Sequence, residues 1–219
     1  MHIARLLLLM LMSAPPVFAA APASTPADAD ADYARALDKR ANDILKTLNL
    51  TDSAKAAKVH DILTARYRAL RDWHDANDAK LKDKSVSAEE KDRVSASLKP
   101  SHDDFINKLS AELTPEQLET VKDKLTYNVV HVTYNAYCDE LPQLTDAQKA
   151  YILAQLKEAR ETAMDQGSSN EKHAVFGKYK GRINNYLAKE GYDLKKAEKE
   201  WAQRRKARTT SDAKQEEAK

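Results

Sequence analysis

Hydrophobic residues recur at steps of three and four along most of the chain, which is the spacing of one face of an α-helix. The clearest case runs from position 58 to 81, where Val59, Ile62, Leu63, Leu70 and Trp73 share this spacing. The same pattern predicts helices over residues 33–48, 88–113 (which Pro100 could interrupt), 115–125, 146–166, 169–190 and 194–208. We therefore expect an all-α fold, a single-domain bundle of six or seven helices.

One stretch departs from the helical pattern. Residues 126–142, TYNVVHVTYNAYCDELP, are rich in the β-branched and aromatic side chains that favour strands. A strand would need a partner to satisfy its backbone hydrogen bonds, and no other segment offers one. We therefore predict an irregular connector followed by a short helix over residues 134–140.

The two ends of the chain differ in composition from the rest. Arg5, an apolar run over residues 6–12 and small residues near Ala19 to Ala21 form the pattern of a cleaved secretory signal over residues 1–20. Residues 21–32 are predicted to be a flexible linker and residues 209–219 a disordered tail. The helical domain is therefore expected over residues 33–208. The mature protein is expected to be periplasmic or secreted, with no membrane anchor.

Charge is unevenly distributed, although the net charge is only +2. Residues 171–208 contain twelve Lys and Arg against five Asp and Glu. Such a basic segment can bind an anionic partner or pack against acidic helices. Nucleic acid is not an expected partner, because an exported protein rarely meets it. Cys138 is the only cysteine, which excludes an internal disulfide.

Glycine is scarce and clustered, since all 4 glycines lie between positions 167 and 191. Gly167 is predicted to end one helix in a left-handed conformation, and Gly191 is predicted to end the next. Gly177 and Gly181 lie inside that second helix, where each costs about 1 kcal/mol relative to alanine. We therefore predict that another helix or a ligand approaches the backbone closely at Gly177 and Gly181.

Aromatic and amide side chains near these glycines predict a binding groove. Tyrosine rings can stack on the C–H face of a sugar, while Asn and Arg side chains can hydrogen-bond to neighbouring hydroxyls. The alternative is that the tyrosines are half-buried in helix packing, with their hydroxyls hydrogen-bonded. The predicted carbohydrate site has stacking groups at Tyr134, Tyr137, Tyr179 and Tyr186 and hydroxyl partners at Asn135, Arg182, Asn184 and Asn185.

Histidine and aspartate recur together on the first long helix without defining a metal site. His60 and His74 are fourteen positions apart and share a face, and Asp78 follows His74 by one turn. Because that helix offers no third convergent ligand, a polar face is the preferred interpretation. His102 is interpreted as part of a helix start or a surface cluster. No motif for a nucleophile, a metalloprotease or phosphate binding occurs, and no cofactor is predicted.

The phrase Leu-Thr-x-x-Gln occurs twice, beginning at Leu113 and at Leu144. In each copy the threonine can cap a helix and the glutamine can complete a capping box, and Ser168 and Glu171 offer a third box. The phrase also resembles the signature of Spy/CpxP-type periplasmic proteins. That resemblance gives a second functional hypothesis, a periplasmic chaperone or stress-sensing protein.

Longer sequence segments resemble a known family over most of the chain. The segments LPQLTDAQKAYILAQLKEARETAMDQGSS, EKHAVFGKYKGRINNYLAKEGYDLKKA and VTYNAY resemble the secreted bacterial family known as domain of unknown function 3826, from about residue 35 to residue 205. That family is described as sugar-binding, with no established site residues to transfer. The resemblance implies a carbohydrate ligand, so a non-catalytic binding protein is the first hypothesis. A polysaccharide-active enzyme is the third.

Overall fold

The computed structural model describes residues 26–216, and every regular element in this part of the chain is an α-helix. The nine helices within residues 26–216 are α1 (Pro26–Leu45), α2 (Ser53–Lys82), α3 (Ala88–Ala96), α4 (Lys99–Glu112), α5 (Pro115–Leu125), α6 (Val129–Glu140), α7 (Asp146–Met164), α8 (Ser169–Lys189) and α9 (Leu194–Glu216). The all-α prediction is confirmed, although six or seven helices were expected. The described residues from Ala36 onward form one compact unit, and those before Ala36 belong to a separate unit.

Two local differences separate the observed helices from the predicted ones. The predicted helix over residues 88–113 is divided into α3 and α4, because Pro100 in the first turn of α4 has no N–H with which to continue α3. The stretch expected to hold a connector and a short helix is instead the continuous helix α6, which begins at Val129. Its Val130 and Tyr137 are buried, so tertiary packing outweighs the strand preference of its β-branched residues.

A short turn over residues 126–128 joins α5 to α6. Tyr127 and Asn128 have φ values of 59° and 56°, a left-handed conformation that residues other than glycine seldom adopt. Lys172 of α8 donates from Nζ to the carbonyl oxygen of Leu125 over 2.9 Å and so satisfies a free carbonyl at the end of α5. Burial, assisted by the charge of Arg40, lowers the pKa of Lys172 to about 8.

Helix capping agrees with the sequence pattern. Thr114 and Thr145 open α5 and α7 with reciprocal capping boxes, and Ser168 with Glu171 makes a third at the start of α8. Gly191 follows the last turn of α8 with a φ of +94°, as predicted for a helix end. Local capping therefore accounts for both Leu-Thr-x-x-Gln phrases.

Of the predictions for the other three glycines, the left-handed conformation of Gly167 is wrong, and no other described helix approaches Gly177 or Gly181. Gly177 and Gly181 are exposed in α8, and a Cβ built on either would meet no atom within 4 Å. They lie away from the buried face of α8, which carries Phe176, so no neighbour reaches them. The close contact is at Gly167, where a Cβ would lie 3.1 Å from the His74 ring. Gly167 also lacks the left-handed φ expected of it.

Two clusters of buried side chains form the core. One lies among α1, α2, α4 and α5 and includes Val59 and Phe105. The other lies among α6, α7, α8 and α9 and includes Ile152 and Phe176. Helix α7 contributes to both, because its Met164 belongs to the first cluster. It therefore joins the two halves of the core, and its packing against α8 is the most extensive contact between helices.

Helices α1 and α9 extend into the predicted linker and tail. Helix α1 begins at Pro26, because proline is favourable in a first turn and the alanines that follow are strong helix formers. Helix α9 continues to Glu216. The predicted secretory signal over residues 1–20 and its cleavage site lie outside the described residues. Within the described residues, no helix is both long and apolar enough to cross a membrane.

Candidate functional site

Two of the tyrosines predicted to stack on a ligand are buried in the core. Tyr137 and Tyr179 are each only 8% exposed. The Tyr137 hydroxyl donates to Oδ1 of Asn184 over 2.6 Å, and the Tyr179 hydroxyl donates to Glu158 over 2.9 Å. Burial, with the charge of Glu140 adding to it, raises the pKa of Tyr137 to about 12. Their rings are therefore not open to a sugar, and the packing alternative describes both residues.

The rest of the predicted groove is divided between core and surface. Tyr134 and Tyr186 are partly buried and pack against the same core cluster. The guanidinium of Arg182 lies over the Tyr179 ring, 4.4 Å from its centroid. The exposed amides of the set are Asn135 on α6 and Asn184 and Asn185 on α8. None of the three clefts described below is lined by a residue of this set.

A cleft of about 430 Å³ lies where α2, α4 and the end of α7 meet. This volume falls within the range of small-molecule sites. We refer to it as the α2–α4–α7 cleft, and its walls include Trp73, His74, His102, Asp103, Asp165 and Gln166. These side chains combine one large aromatic ring with several hydrogen-bonding groups.

Asp165, the residue that follows α7, connects the walls of the cleft. Its Oδ1 accepts a hydrogen bond from Nδ1 of His102 over 2.8 Å and another from Arg66. Its backbone oxygen accepts from Nε2 of His74 over 2.8 Å. Because charge-assisted hydrogen bonds are among the stronger ones in proteins, Asp165 fixes α2, α4 and α7 to one another.

His74 can reach Asp165 because residue 167 is glycine. A Cβ at position 167 would lie 3.1 Å from both Cγ and Cδ2 of the His74 ring, so a larger residue would displace the ring. Nδ1 of His74 lies 2.8 Å from Oδ1 of Asp78, and both ring nitrogens therefore face oxygen atoms. The ring donates both hydrogen bonds at once only when it carries two protons.

The ionised groups of the cleft hold one another in their charged forms. The hydrogen bond to Asp165 and then the nearby Glu161 carboxylate raise the pKa of His102 to about 9. Burial acts to raise the pKa of Glu161, but the nearby His102 cation and a hydrogen bond from Lys122 outweigh it and lower that pKa to about 2. At neutral pH, His102 is therefore a cation and Glu161 an anion.

A buried ion-pair network continues from Glu161 into α5. The side chain of Arg160 is 3% exposed and donates to Asp123 over 2.7 Å and to Glu119 over 2.8 Å. Lys122 donates to Glu161 over 3.1 Å. Nε of Arg160 is buried, with no hydrogen-bond partner in the described part of the chain. Since an unpaired buried charge is costly, removing one member of this network should destabilise the junction of α5 and α7.

The indole of Trp73 is fixed beside polar side chains. Its Nε1 donates to Oγ of Ser97 over 3.0 Å, and the His74 ring stands nearly perpendicular to it, with centroids 4.9 Å apart. Lys99 and Asp103 form an ion pair over 2.6 Å on another wall. An aromatic face with a few placed polar groups suits a small polar organic ligand. Across residues 26–216, no group of three or more His, Cys, Asp or Glu side chains could hold a metal ion.

Two further clefts have a different character. One of about 400 Å³ lies between α2 and α4, and its aromatic residue, Phe105, is buried. The other, of about 440 Å³, lies beside the turn between α8 and α9. There the Tyr192 hydroxyl already donates to Oε1 of Gln148 over 2.7 Å. The α2–α4–α7 cleft is therefore the better candidate site.

Local sequence patterns identify only parts of this cleft. Helical spacing relates His74 to Asp78, and the structure pairs them. His102 does lie in the first turn of α4, but its side chain is only 15% exposed and pairs with Asp165, so it is not a surface residue. Trp73 is identified only through its apolar spacing, and Asp165 has no local signal. Asp165 is 63 residues from His102 and 91 from His74, a separation that no local pattern covers.

These observations define a class of protein: an all-α domain with a polar cleft at a junction of three helices. A comparison with family models then places the chain more closely. The model described as Protein of unknown function (DUF3826) matches residues 34–207, which is most of the chain, and the chain belongs to this family. A comparison with curated proteins finds no match.

Proposed function

We propose that this protein is an exported, non-catalytic binding protein whose ligand is a carbohydrate held in the α2–α4–α7 cleft. The observation that carries the proposal is the fixed indole of Trp73 beside hydrogen-bonding side chains in a cleft of about 430 Å³. Export is supported by the N-terminal sequence pattern. A carbohydrate ligand is also supported by the sequence resemblance described above.

The indole supplies the apolar part of the recognition. A sugar ring presents C–H groups on its faces and hydroxyls around its edge, so it needs an aromatic surface with polar groups beside it. Trp73 is held by Ser97 and by the His74 ring, so little side-chain freedom remains to be lost when a ligand binds. Asp103 and Gln166 line the same cleft and can accept hydrogen bonds from hydroxyls.

The ionisation of the cleft residues favours binding over catalysis. A glycosidase needs one carboxyl group that keeps its proton near neutral pH as a general acid. The pKa of Glu161 is instead lowered to about 2, and Asp165 accepts charge-assisted hydrogen bonds from Arg66 and His102. The pKa of His102 is raised to about 9, so this ring is protonated at neutral pH and cannot act as a general base.

Calorimetric titration with neutral mono- and oligosaccharides tests the proposal. We expect saturable binding of at least one saccharide, weakened at least ten-fold by Trp73→Ala. Trp201→Ala is the matched control, because Trp201 lies on α9 and bonds to Asp139 instead. Its binding should equal that of the wild type, with circular dichroism confirming that both variants are folded. The proposal would be contradicted if no saccharide bound at millimolar concentration, or if Trp73→Ala and Trp201→Ala weakened binding equally.

The other two hypotheses receive less support from the cleft. Helix capping accounts for both Leu-Thr-x-x-Gln phrases, which were the motive for the chaperone hypothesis. Suppression of client aggregation by stoichiometric protein, without saccharide binding, would favour the chaperone. Release of new reducing ends from a polysaccharide would favour the enzyme.

A further inference from the structure

We infer that the α2–α4–α7 cleft selects saccharides that offer hydroxyl or amine donors and disfavours those that carry a carboxylate. Neutral and amino sugars are the expected ligands, and uronic acids are not. This inference rests on the proposed function and names the ligand class for the same site. It follows from how the charged side chains of the cleft are paired.

The cations of the cleft wall are already engaged by carboxylates of the protein. Nζ of Lys99 lies 2.6 Å from one oxygen of Asp103 and 2.8 Å from the other. His102 donates to Asp165 over 2.8 Å and lies 3.6 Å from Glu161. A ligand carboxylate would therefore compete with a carboxylate of the protein for each of these cations.

The Arg66 guanidinium behind this wall is also engaged. It is buried and donates to Asp165 and, over 2.8 Å, to Ser101. Lys122 is only 13% exposed and is paired with Glu161. Neither cation is therefore free to receive an acidic ligand.

The same pairing leaves acceptors available at the cleft surface. An ionised carboxylate has about four lone-pair sites, and Asp103 uses part of this capacity on Lys99. The Gln166 amide donates to the carbonyl oxygen of Thr162 over 3.2 Å, so its side-chain oxygen can still accept a hydrogen bond. Ligand hydroxyls and ammonium groups are donors and match these acceptors, whereas a ligand carboxylate is an acceptor and does not.

Like charge adds to this mismatch. The cleft is lined by three carboxylates, those of Asp103, Glu161 and Asp165, and by two cations, Lys99 and His102. Its lining therefore carries a net negative charge, which disfavours an anionic ligand. We therefore expect a uronate to bind at least ten-fold more weakly than the neutral sugar of the same ring stereochemistry. The amino sugar should bind at least as well as the neutral sugar.

Three matched series of ligands test this inference. Each of the gluco, galacto and manno series contains the neutral sugar, its 2-amino derivative and its 6-carboxylate, titrated into the wild type by calorimetry at constant salt. The expected result is binding of the neutral and amino members of at least one series, with the carboxylate at least ten-fold weaker. A carboxylate that binds as tightly as its neutral partner would overturn the inference and leave the proposed function standing. No binding by any member of the three series, nor by the neutral oligosaccharides used to test the proposed function, would overturn both.

A substitution on the exposed wall gives an independent readout. Asp103→Asn removes one negative charge and releases Lys99, and the side chain of Asp103 is 49% exposed, so the variant should fold. The variant is expected to reduce, at least three-fold, the ratio of the affinity for the neutral sugar to the affinity for the uronate. Asp104→Asn is the matched control, because Asp104 lines the cleft between α2 and α4 instead. A ratio that Asp103→Asn leaves unchanged would contradict the inference.

Discussion

Replacing His102 by asparagine is expected to remove a pH-dependent part of the stability. Asparagine can still donate to Asp165 but carries no charge. The pKa of His102 is raised from 6.5 to about 9 by its hydrogen bond to Asp165 and by the nearby Glu161 carboxylate, against the opposing effects of burial and Arg66. A group whose pKa is raised by folding stabilises the folded state fully below its unfolded pKa. That contribution should therefore be complete below pH 6.5 and be lost as the pH rises through about 9.

The size of the effect follows from this difference in pKa. At about 1.4 kcal/mol per pKa unit, a rise from 6.5 to about 9 corresponds to about 3 kcal/mol of unfolding free energy. The His102 ring borders a cleft that is open to water, so solvent screening should reduce this to about 1–2 kcal/mol. The stability difference between wild type and His102→Asn should therefore shrink by about 1–2 kcal/mol between pH 6 and pH 9.5.

Urea unfolding followed by circular dichroism at several pH values measures this difference. Lys172, whose pKa is lowered to about 8, makes the folded state more stable as the pH rises from about 8 towards 10.5. It is present in both proteins, so its effect largely cancels in the difference. Asp165→Asn should remove most of the same pH dependence, because it takes away the main partner of His102. A stability difference that stays constant from pH 6 to 9.5 would refute the reasoning.

Three further predictions concern packing and are tested by chemical denaturation. Gly177→Ala and Gly181→Ala should each raise the unfolding free energy by about 1 kcal/mol, because alanine favours the helix and nothing lies within 4 Å of either new Cβ. Destabilisation by either substitution would support a close approach at that glycine. Gly167→Ala should lower the unfolding free energy by about 1–3 kcal/mol, because the new Cβ meets a His74 ring that is held at both nitrogens. An unchanged denaturation midpoint would contradict this contact. Arg160→Met should lower the unfolding free energy by about 3–5 kcal/mol, because it removes the buried cation of Asp123 and leaves that carboxylate only its contact with His131. An unchanged unfolding free energy would show that the network contributes little.

The sequence predicts best the features that depend on neighbouring residues. A capping box joins residues three positions apart, so Thr114, Thr145 and Ser168 could be assigned to helix starts from their local sequences alone. Helical periodicity likewise predicts the fold class. It does not predict that α6 begins at Val129, because that outcome depends on the core against which the β-branched residues pack.

The candidate site depends on contacts between distant segments. Arg66 and Asp165 are 99 residues apart, so their pairing is decided by how α2 packs against the end of α7. The interior glycines show the same limit. The free-energy cost of Gly177 and Gly181 inside a helix is a local property that follows from the sequence. Which face of that helix meets a neighbour is a tertiary property that does not. The close approach lies at Gly167, outside the helices, where no helix cost indicated it.

Fluorescence of Trp73 tests most directly whether a carbohydrate binds in the α2–α4–α7 cleft. The chain has 2 tryptophans, so Trp201→Phe leaves Trp73 as the only indole. Titrating this variant with a saccharide that binds by calorimetry should change the Trp73 emission saturably, with the same dissociation constant. Calorimetric binding with no change in Trp73 emission would place the ligand elsewhere and contradict the account.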